Sequence, residues 1–141
     1  QEDVERLRFN LQNGGLLLAD ACCGKEAFDK AFRAFAGQLF PDKKLEVVPP
    51  EDPLYGADLN GEALTAQNIR CRTKVGDKAR PMAPHFEGIK IDNRWVLLYS
   101  KYDIGCALEK HRASDCLGYE VEAAYRLAAA AVLYAYHLEK R

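Results

Sequence analysis

The sequence predicts a three-layer α/β fold, in which a sheet carries helices on both of its faces. Three observations support this prediction. A short apolar run, residues 16–18, lies between a pair of glycines and a polar turn, and residues 25–39 follow with the apolar spacing of a helix. Two strand-like segments flank an Asp-Asn pair at residues 92–93, and an alanine-rich helix ends the chain. Continuous apolar strands followed by helices are typical of buried strands in α/β sheets.

Length and charge limit the class of protein. The 141 residues form one predicted α/β domain, 1–141, which is long enough to bury a core. The chain carries 20 basic and 21 acidic residues, so no long-range field attracts nucleic acid. The longest apolar stretch, residues 127–135, is too short to span a bilayer. We therefore expect no nucleic-acid partner and no transmembrane segment in this chain.

The first predicted helix covers residues 2–13, where Val4, Leu7 and Leu11 recur at helical spacing. An Asn-Gly-Gly sequence then ends this helix. Because the helix precedes every predicted strand, we expect the first strand or two of the sheet to lie upstream of Gln1 or to come from a partner.

The next predicted elements surround a second helix, residues 25–39. One side of this helix is aromatic, which is typical of core packing; it consists of Phe28, Ala31, Phe32, Phe35 and Leu39. Residues 45–48 form a short predicted strand, and the Pro- and Gly-rich residues 51–63 are predicted to cross the surface as a loop. Residues 69–73 are predicted to form an edge strand that places Cys71 inward.

The clearest predicted hairpin joins residues 86–91 to residues 95–100. The second arm is apolar on both faces, so it is expected inside the sheet, beside residues 16–18. The residues just before the hairpin, 75–85, are predicted to be irregular because they mix glycine, charged residues and two prolines.

Helical structure is predicted after the hairpin. Residues 103–109 are expected to form one or two helical turns, and residues 121–138 a long final helix. The inward face of the final helix is expected to consist of Val121, Tyr125, Ala128, Val132 and Tyr136, with Ala124, Ala131 and Ala135 beside them.

Polar and thiol side chains follow the two apolar strands predicted to be neighbours. Asp20, Cys22 and Cys23 come after the first, and Ser100, Asp103 and Cys106 come at the end of the second. Ligands of α/β sheets gather just past the carboxyl ends of the strands. We therefore predict a binding site at one rim of the sheet, formed by these six residues.

The five cysteines, at positions 22, 23, 71, 106 and 116, are expected to be reduced. Their number is odd, and their spacing matches neither a disulfide framework nor paired CxxC zinc motifs. Most buried thiols are small apolar fillers. No disulfide is therefore predicted.

Five segments together resemble one known family. They are GGLLLADACCG, AFDKAFRAFAGQLFP, VVPPEDPLY, EGIKIDNRWVLLYSKYDIGCALE and the helix GYE…AYRLAAAAVLYAY. The chain resembles, over nearly all its length, the uncharacterised bacterial domain-of-unknown-function family numbered four-one-five-nine. That family looks related to the class I glutamine amidotransferase-like and trehalose-utilisation-like flavodoxin-type folds. The resemblance implies a flavodoxin-like sheet within a larger protein that is often exported or membrane-tethered, and it implies no particular reaction.

One hypothesis makes Cys22 the nucleophile of a Cys-dependent hydrolase or amidotransferase. The resemblance implies a nucleophilic cysteine between two glycines, as in G-x-C-x-G. Gly24 matches this pattern, but Asp20 stands where the strained turn would need the first glycine. The histidine that such enzymes carry after a late strand is absent from residues 100–103. The sequence therefore leans against an enzyme.

A second hypothesis places a metal or a small ligand at the rim. Cys22, Cys23, Cys106 and His111 are the candidate metal ligands, since thiolates and imidazoles suit zinc. Their spacing is not a recognised zinc motif, so no cofactor is predicted outright and zinc is the candidate. A small ligand at the rim would be polar and neutral or cationic, because Asp20 would oppose an anion.

The favoured hypothesis is a non-catalytic binding or assembly domain within a larger bacterial protein or complex. Asp20 and Asp103 would then hold the backbone amides of turns, and the thiols would fill space beside them. The contact surface for a protein partner, or for the rest of the polypeptide, would come from residues 51–58 and 75–85. The flank of the sheet would supply a docking edge.

Overall fold

The computed structural model describes residues 1–111 and 113–138 and confirms a mixed α/β fold. Its strands are β1 (Leu17–Asp20), β2 (Glu46–Val47), β3 (Arg70–Arg72), β4 (Arg80–Pro81), β5 (Glu87–Ile91), β6 (Arg94–Ser100) and β7 (Gly118–Tyr119). Its α-helices are α1 (Glu2–Gln12), α2 (Glu26–Leu39), α3 (Ala57–Asn60), α4 (Gly105–Leu108) and α5 (Val121–Leu138). Two 3₁₀ turns cover Cys22–Gly24 and Pro53–Tyr55.

The larger sheet has four strands in the order β1-β6-β5-β2. As predicted, β1 lies beside β6 and runs parallel to it, with Leu17 opposite Leu97 and Asp20 opposite Ser100. The prediction of a buried strand at β1 is wrong, because β1 lies at the edge of this sheet and Leu18 is 37% exposed. Among the described residues, β1 therefore pairs with a strand on one side only.

The predicted hairpin is confirmed as β5 and β6. Asp92 and Asn93 both have positive φ angles, 48° and 65°, as a two-residue turn with the twist of a β-hairpin requires. The register shifts so that Ile89 pairs with Leu97 while Lys90 pairs with Trp95, which leaves Val96 as an extra residue in β6.

Two hydrophobic clusters enclose the larger sheet. Strand β6 contributes to both of them, with Leu97 and Tyr99 in one cluster and Trp95 and Leu98 in the other. The first cluster includes residues of α1 and α2, and the second includes the inner face of α5. Strand β6 is thus an inner strand of the sheet that packs into both hydrophobic clusters.

A second, three-stranded sheet has the order β4-β3-β7, which corrects two predictions. The fold has two sheets where one was expected, and β3 is the middle strand of its sheet where an edge strand was expected. Cys71 does point inward, at 1% exposure. Strands β4 and β7 have two residues each, which is too few for an alternating pattern to reveal them in the sequence.

The segment predicted to cross the surface at residues 51–63 is partly buried: Asp52, Leu54 and Tyr55 lie in the core, whereas residues 57–58 and 61–63 are exposed. Leu54 is fully buried, and the Tyr55 hydroxyl accepts a 2.8 Å hydrogen bond from the Phe86 backbone N–H. The buried Asp52 carboxylate accepts hydrogen bonds from the Leu54 N–H and the Trp95 Nε1–H. These paired polar groups allow a Pro- and Gly-rich segment to pack inside the molecule.

The final helix is confirmed, and its predicted inward face is confirmed at Ala124 and Ala131, but three of the larger side chains predicted to face inward are exposed. Tyr125, Val132 and Tyr136 are 56%, 66% and 55% exposed. The face that packs on the core consists of Ala123, Ala124, Leu127, Ala130 and Ala131. Small side chains let the helix approach closely, which a face of tyrosines would prevent. No helix in the described part of the chain combines the length and apolar character needed to cross a membrane.

Candidate metal centre

Strands β1 and β6 end at the same rim because they are parallel neighbours, and each is followed at once by a short helical turn. The turn after β1 carries Cys22 and Cys23, and α4, after β6, carries Cys106. Cys22 Sγ lies 3.5 Å from Cys106 Sγ, and Cys23 Sγ lies 4.0 Å from it. The predicted meeting of the two segments at one rim is therefore observed.

Asp103 joins these thiols and fixes the turns that carry them. It is 1% exposed. Its Oδ2 accepts a 2.6 Å hydrogen bond from the Cys23 backbone N–H, and its Oδ1 accepts a 3.2 Å bond from the Ala107 N–H. A carboxylate that accepts backbone N–H bonds keeps lone pairs for a further partner.

Four ligand atoms lie within 4.8 Å of one another: the sulfurs of Cys22, Cys23 and Cys106 and a carboxylate oxygen of Asp103. We call these four residues the thiol cluster. Cys22 is exposed, Cys23 and Cys106 are half-buried, and Asp103 is buried. A group of this composition and spacing could hold a metal ion.

Asp20 supports the rim without joining the thiol cluster. Its Oδ2 accepts hydrogen bonds from the Ile104 N–H at 2.7 Å and the Gly105 N–H at 2.9 Å. These are backbone donors at the start of α4, so Asp20 ties the end of β1 to the helix that carries Cys106. Asp20 therefore lies at the rim, as predicted from the sequence, and its hydrogen bonds hold the start of α4.

A third segment, residues 116–118, closes the rim through backbone contacts. The Leu117 N–H donates to the Cys23 carbonyl, and the Leu117 carbonyl accepts from the Asp103 N–H. Such close approach requires glycine: a Cβ on Gly24 would lie 2.8 Å from Leu117 Cβ, and one on Gly118 would lie 2.6 Å from Asp103 Cβ. Cys23 itself has a left-handed φ of 52°, so its position depends on these contacts.

Two other predicted site residues lie outside the thiol cluster. Ser100 is fully buried, and its hydroxyl donates a 2.6 Å hydrogen bond to the Tyr102 carbonyl. His111 is exposed and contacts this region through its backbone, since its N–H donates to the Cys106 carbonyl at 2.8 Å. The structure therefore does not bring the His111 ring to the group of ligand atoms.

Cys116 is the neighbour that the site prediction omitted. Its thiol interacts with the Cys23 thiol, so four of the five cysteines gather at this rim. Cys116 reaches the rim because β7 brings residues 116–118 against Asp103. No spacing in the sequence indicates this contact, since it depends on the second sheet.

The surroundings favour the protonated form of two thiols. The hydrogen bond with Cys116 and then burial raise the pKa of Cys23 to about 12. The hydrogen bond that the Cys106 thiol makes with Asp103, followed by burial, also raises the pKa of Cys106. Both side chains are therefore neutral thiols near pH 7 unless a cation replaces their protons.

An open cleft of about 830 Å³ lies beside the thiol cluster and is partly lined by Asp103 and Cys116. Its wall also carries Arg72, Lys78 and Lys110, none of which forms an ion pair with a carboxylate among residues 1–111 and 113–138. These positive charges would partly balance the negative charge of a thiolate–metal site.

Comparison with known proteins identifies the family. The model of a family described as a domain of unknown function, DUF4159, matches residues 1–136. This range includes every residue of the thiol cluster and confirms the identification made from the sequence. Searches of curated proteins and of solved structures found no match to the chain. The chain belongs to the DUF4159 family.

Proposed function

We propose that this chain is a metal-binding domain whose thiol cluster holds a zinc ion. The observation that carries the proposal is the convergence of three sulfurs and one carboxylate oxygen within 4.8 Å. Zinc in structural sites is bound by four such ligands, and thiolates select it over hard cations such as magnesium and calcium. The ligands would come from Cys22, Cys23, Asp103 and Cys106.

The bound ion would join two segments that are far apart in the sequence. Cys22 and Cys23 follow β1, whereas Asp103 and Cys106 lie some 80 residues later in the chain. Hydrogen bonds and sulfur contacts already join these segments, and a metal would add a strong link between them. The site would therefore stabilise the rim and the cleft next to it, which is the role of a structural zinc.

Titration of the reduced, metal-free chain with zinc is expected to show one bound ion and the release of at least two protons at pH 7. The protons come from Cys23 and Cys106, whose raised pKa values keep them protonated before metal binds. Because the ligands must lose these protons, the apparent affinity should rise by about 100-fold for each unit of pH increase near neutrality. Calorimetry in buffers of different ionisation enthalpy, repeated at several pH values, measures the number of released protons and the affinity.

Magnesium is the matched control for this titration, because it has the same charge and prefers oxygen ligands. It should bind far more weakly than zinc. Zinc binding without proton release, or equal affinity for both ions, would contradict the proposal.

A cysteine-dependent hydrolase receives less support from the geometry. Cys22 is exposed and lies at the end of β1, as a nucleophile would, but no histidine of the described residues belongs to the group around it. A small-ligand site at Asp20 and Ser100 is likewise less supported, because both side chains bind backbone groups.

As a second function, we propose that the domain assembles with a protein partner through the open edge of β1. The support is that β1 pairs with β6 on one side, has no strand on its other side among the described residues, and exposes Leu18. An unpaired edge can accept a further strand. We also propose that the larger sheet is related to flavodoxin-like sheets, as the resemblance implies. The parallel pairing of β1 with β6 supports this relationship.

The Leu18→Lys variant should reduce any self-association or partner binding that uses this edge, because a charged side chain disfavours strand addition. The matched control is Val47→Lys on β2, at the opposite edge, where the side chain is 54% exposed. Light scattering across a range of concentrations measures the difference. Equal association of both variants would exclude the β1 edge as the docking surface.

A further inference from the structure

Beyond metal binding, we propose that Cys22 and Cys106 form a reversible redox site, in which a peroxide links their sulfurs into a disulfide and expels the metal. The observation that carries the inference is the 3.5 Å separation of the two sulfurs. A disulfide needs a sulfur–sulfur distance of about 2.05 Å. Each cysteine lies on a short helical turn at the rim, so the sulfurs approach by side-chain rotation with a small movement of the turns.

The two thiols differ in exposure in the way that such a pair requires. Cys22 is exposed, so a peroxide reaches it from solvent, whereas Cys106 is half-buried beside it. Oxidation selects accessible thiols that have a second cysteine in reach. Cys22 is thus the thiol that reacts first with the peroxide. Cys106 is the thiol that then attacks the oxidised Cys22 sulfur.

The reaction balances with one peroxide. In the first step the O–O bond breaks and a sulfur–oxygen bond forms on Cys22, while one water leaves. In the second step Cys106 Sγ attacks the Cys22 sulfur, the sulfur–oxygen bond breaks, and the Cys106 proton leaves with the hydroxyl as a second water. Two thiols lose two electrons, and the peroxide gains them. A thiol reductant reverses the change.

The other pairings at the rim are less favourable. Cys22 and Cys23 are adjacent in sequence, so a bond between them is strained. Cys23 Sγ lies 4.0 Å from Cys106 Sγ, and its backbone is fixed at φ 52° by the hydrogen bond from its N–H to Asp103. Cys23 therefore has less freedom than Cys22 to move toward Cys106.

Disulfide formation would release the metal, because it removes two of the three thiolates of the thiol cluster. This consequence rests on the proposed zinc site, whereas the cross-link itself depends only on the geometry of the two cysteines. The two proposals can therefore fail separately.

The test treats the full chain with one equivalent of hydrogen peroxide, both free of metal and loaded with zinc. Mass spectrometry of alkylated peptides should find Cys22 joined to Cys106 in the metal-free protein, and dithiothreitol should reverse it. In the loaded protein a chromogenic chelator should record one zinc released for each disulfide. In the Cys106→Ser variant, Cys22 should remain a sulfenic acid that dimedone traps.

Cys116→Ser is the matched control, since it removes a thiol of the same rim and should leave the cross-link intact. A Cys23–Cys106 or Cys23–Cys116 bond as the main product would overturn the proposal, as would oxidation of Cys22 to the sulfinic acid without any cross-link. If zinc does not bind but the Cys22–Cys106 bond forms, the zinc site fails and the redox site stands.

Discussion

Replacement of Cys106 with serine is expected to abolish zinc binding at micromolar concentrations. Cys106 Sγ contacts both Cys22 Sγ and Cys23 Sγ, so it is the ligand shared by the two halves of the site. A serine hydroxyl does not ionise near neutral pH and is a poor substitute for a thiolate. Mutation of outer partners of metal ligands typically costs 10- to 100-fold in affinity, and we expect loss of a ligand to cost more than about 100-fold. Competition with a chelator of known affinity measures the change.

Two other cysteines supply controls for this experiment. Cys71 is buried in β3 and lies outside the group of four ligand atoms, so Cys71→Ala should bind one zinc with unchanged affinity even if the fold is less stable. Cys116 is close to Cys23 but outside the group of four ligand atoms, so Cys116→Ser should change the affinity by less than about 10-fold. If Cys116→Ser loses zinc and Asp103→Asn keeps it, the fourth ligand is Cys116 and the assignment of Asp103 is wrong.

Substitution of alanine for Gly118 is expected to lower the free energy of unfolding by about 3 kcal/mol, the upper part of the usual range for overpacking. The added Cβ would lie 2.6 Å from Asp103 Cβ and 2.8 Å from the Asp103 carbonyl oxygen. Neither segment yields easily, because backbone hydrogen bonds join Leu117 and Tyr119 to Asp103. Since Asp103 also holds the Cys23 turn, this variant should weaken zinc binding as well. Chemical denaturation measures the free energy of unfolding, and zinc titration measures the loss of zinc affinity.

Gly37→Ala is the matched control, and it should raise the free energy of unfolding where Gly118→Ala lowers it. Gly37 lies inside α2, and a Cβ at this position meets no atom within 4 Å. Alanine in a helix interior is favoured over glycine by roughly 0.5–1 kcal/mol, so this variant should be slightly more stable. Equal stability of the two variants would show that the contact between residues 103 and 118 is looser than the structure indicates.

Elements with a strong local pattern were predictable from the sequence. The helices α1, α2 and α5, the β5–β6 hairpin and the β1 strand each have apolar spacing over several residues or a turn sequence that permits positive φ. The rim was predictable for the same reason, since two parallel apolar strands bring the residues after them together. Asp20, Cys22, Cys23, Asp103 and Cys106 were all placed there correctly.

Other features depend on contacts between segments that are distant in the sequence. The second sheet, the buried Leu54 and Tyr55, and the buried face of α5 follow from packing that no local pattern records. Ser100 and His111 lie outside the thiol cluster for the same reason, because their hydrogen bonds are made with neighbouring backbone groups.

The sequence alone therefore indicated the α/β class and the rim at which the thiols meet, because helix and strand spacing are encoded locally, and the resemblance of its segments identified the family. Only the tertiary structure decided which thiols touch, that Asp103 and not His111 joins them in the group of ligand atoms, and that Cys116 reaches Cys23. Distances of 3.5 to 4.0 Å between sulfurs depend on how β7 and residues 116–118 close over two turns. That closure is a long-range packing event, which residue spacing along a chain does not specify.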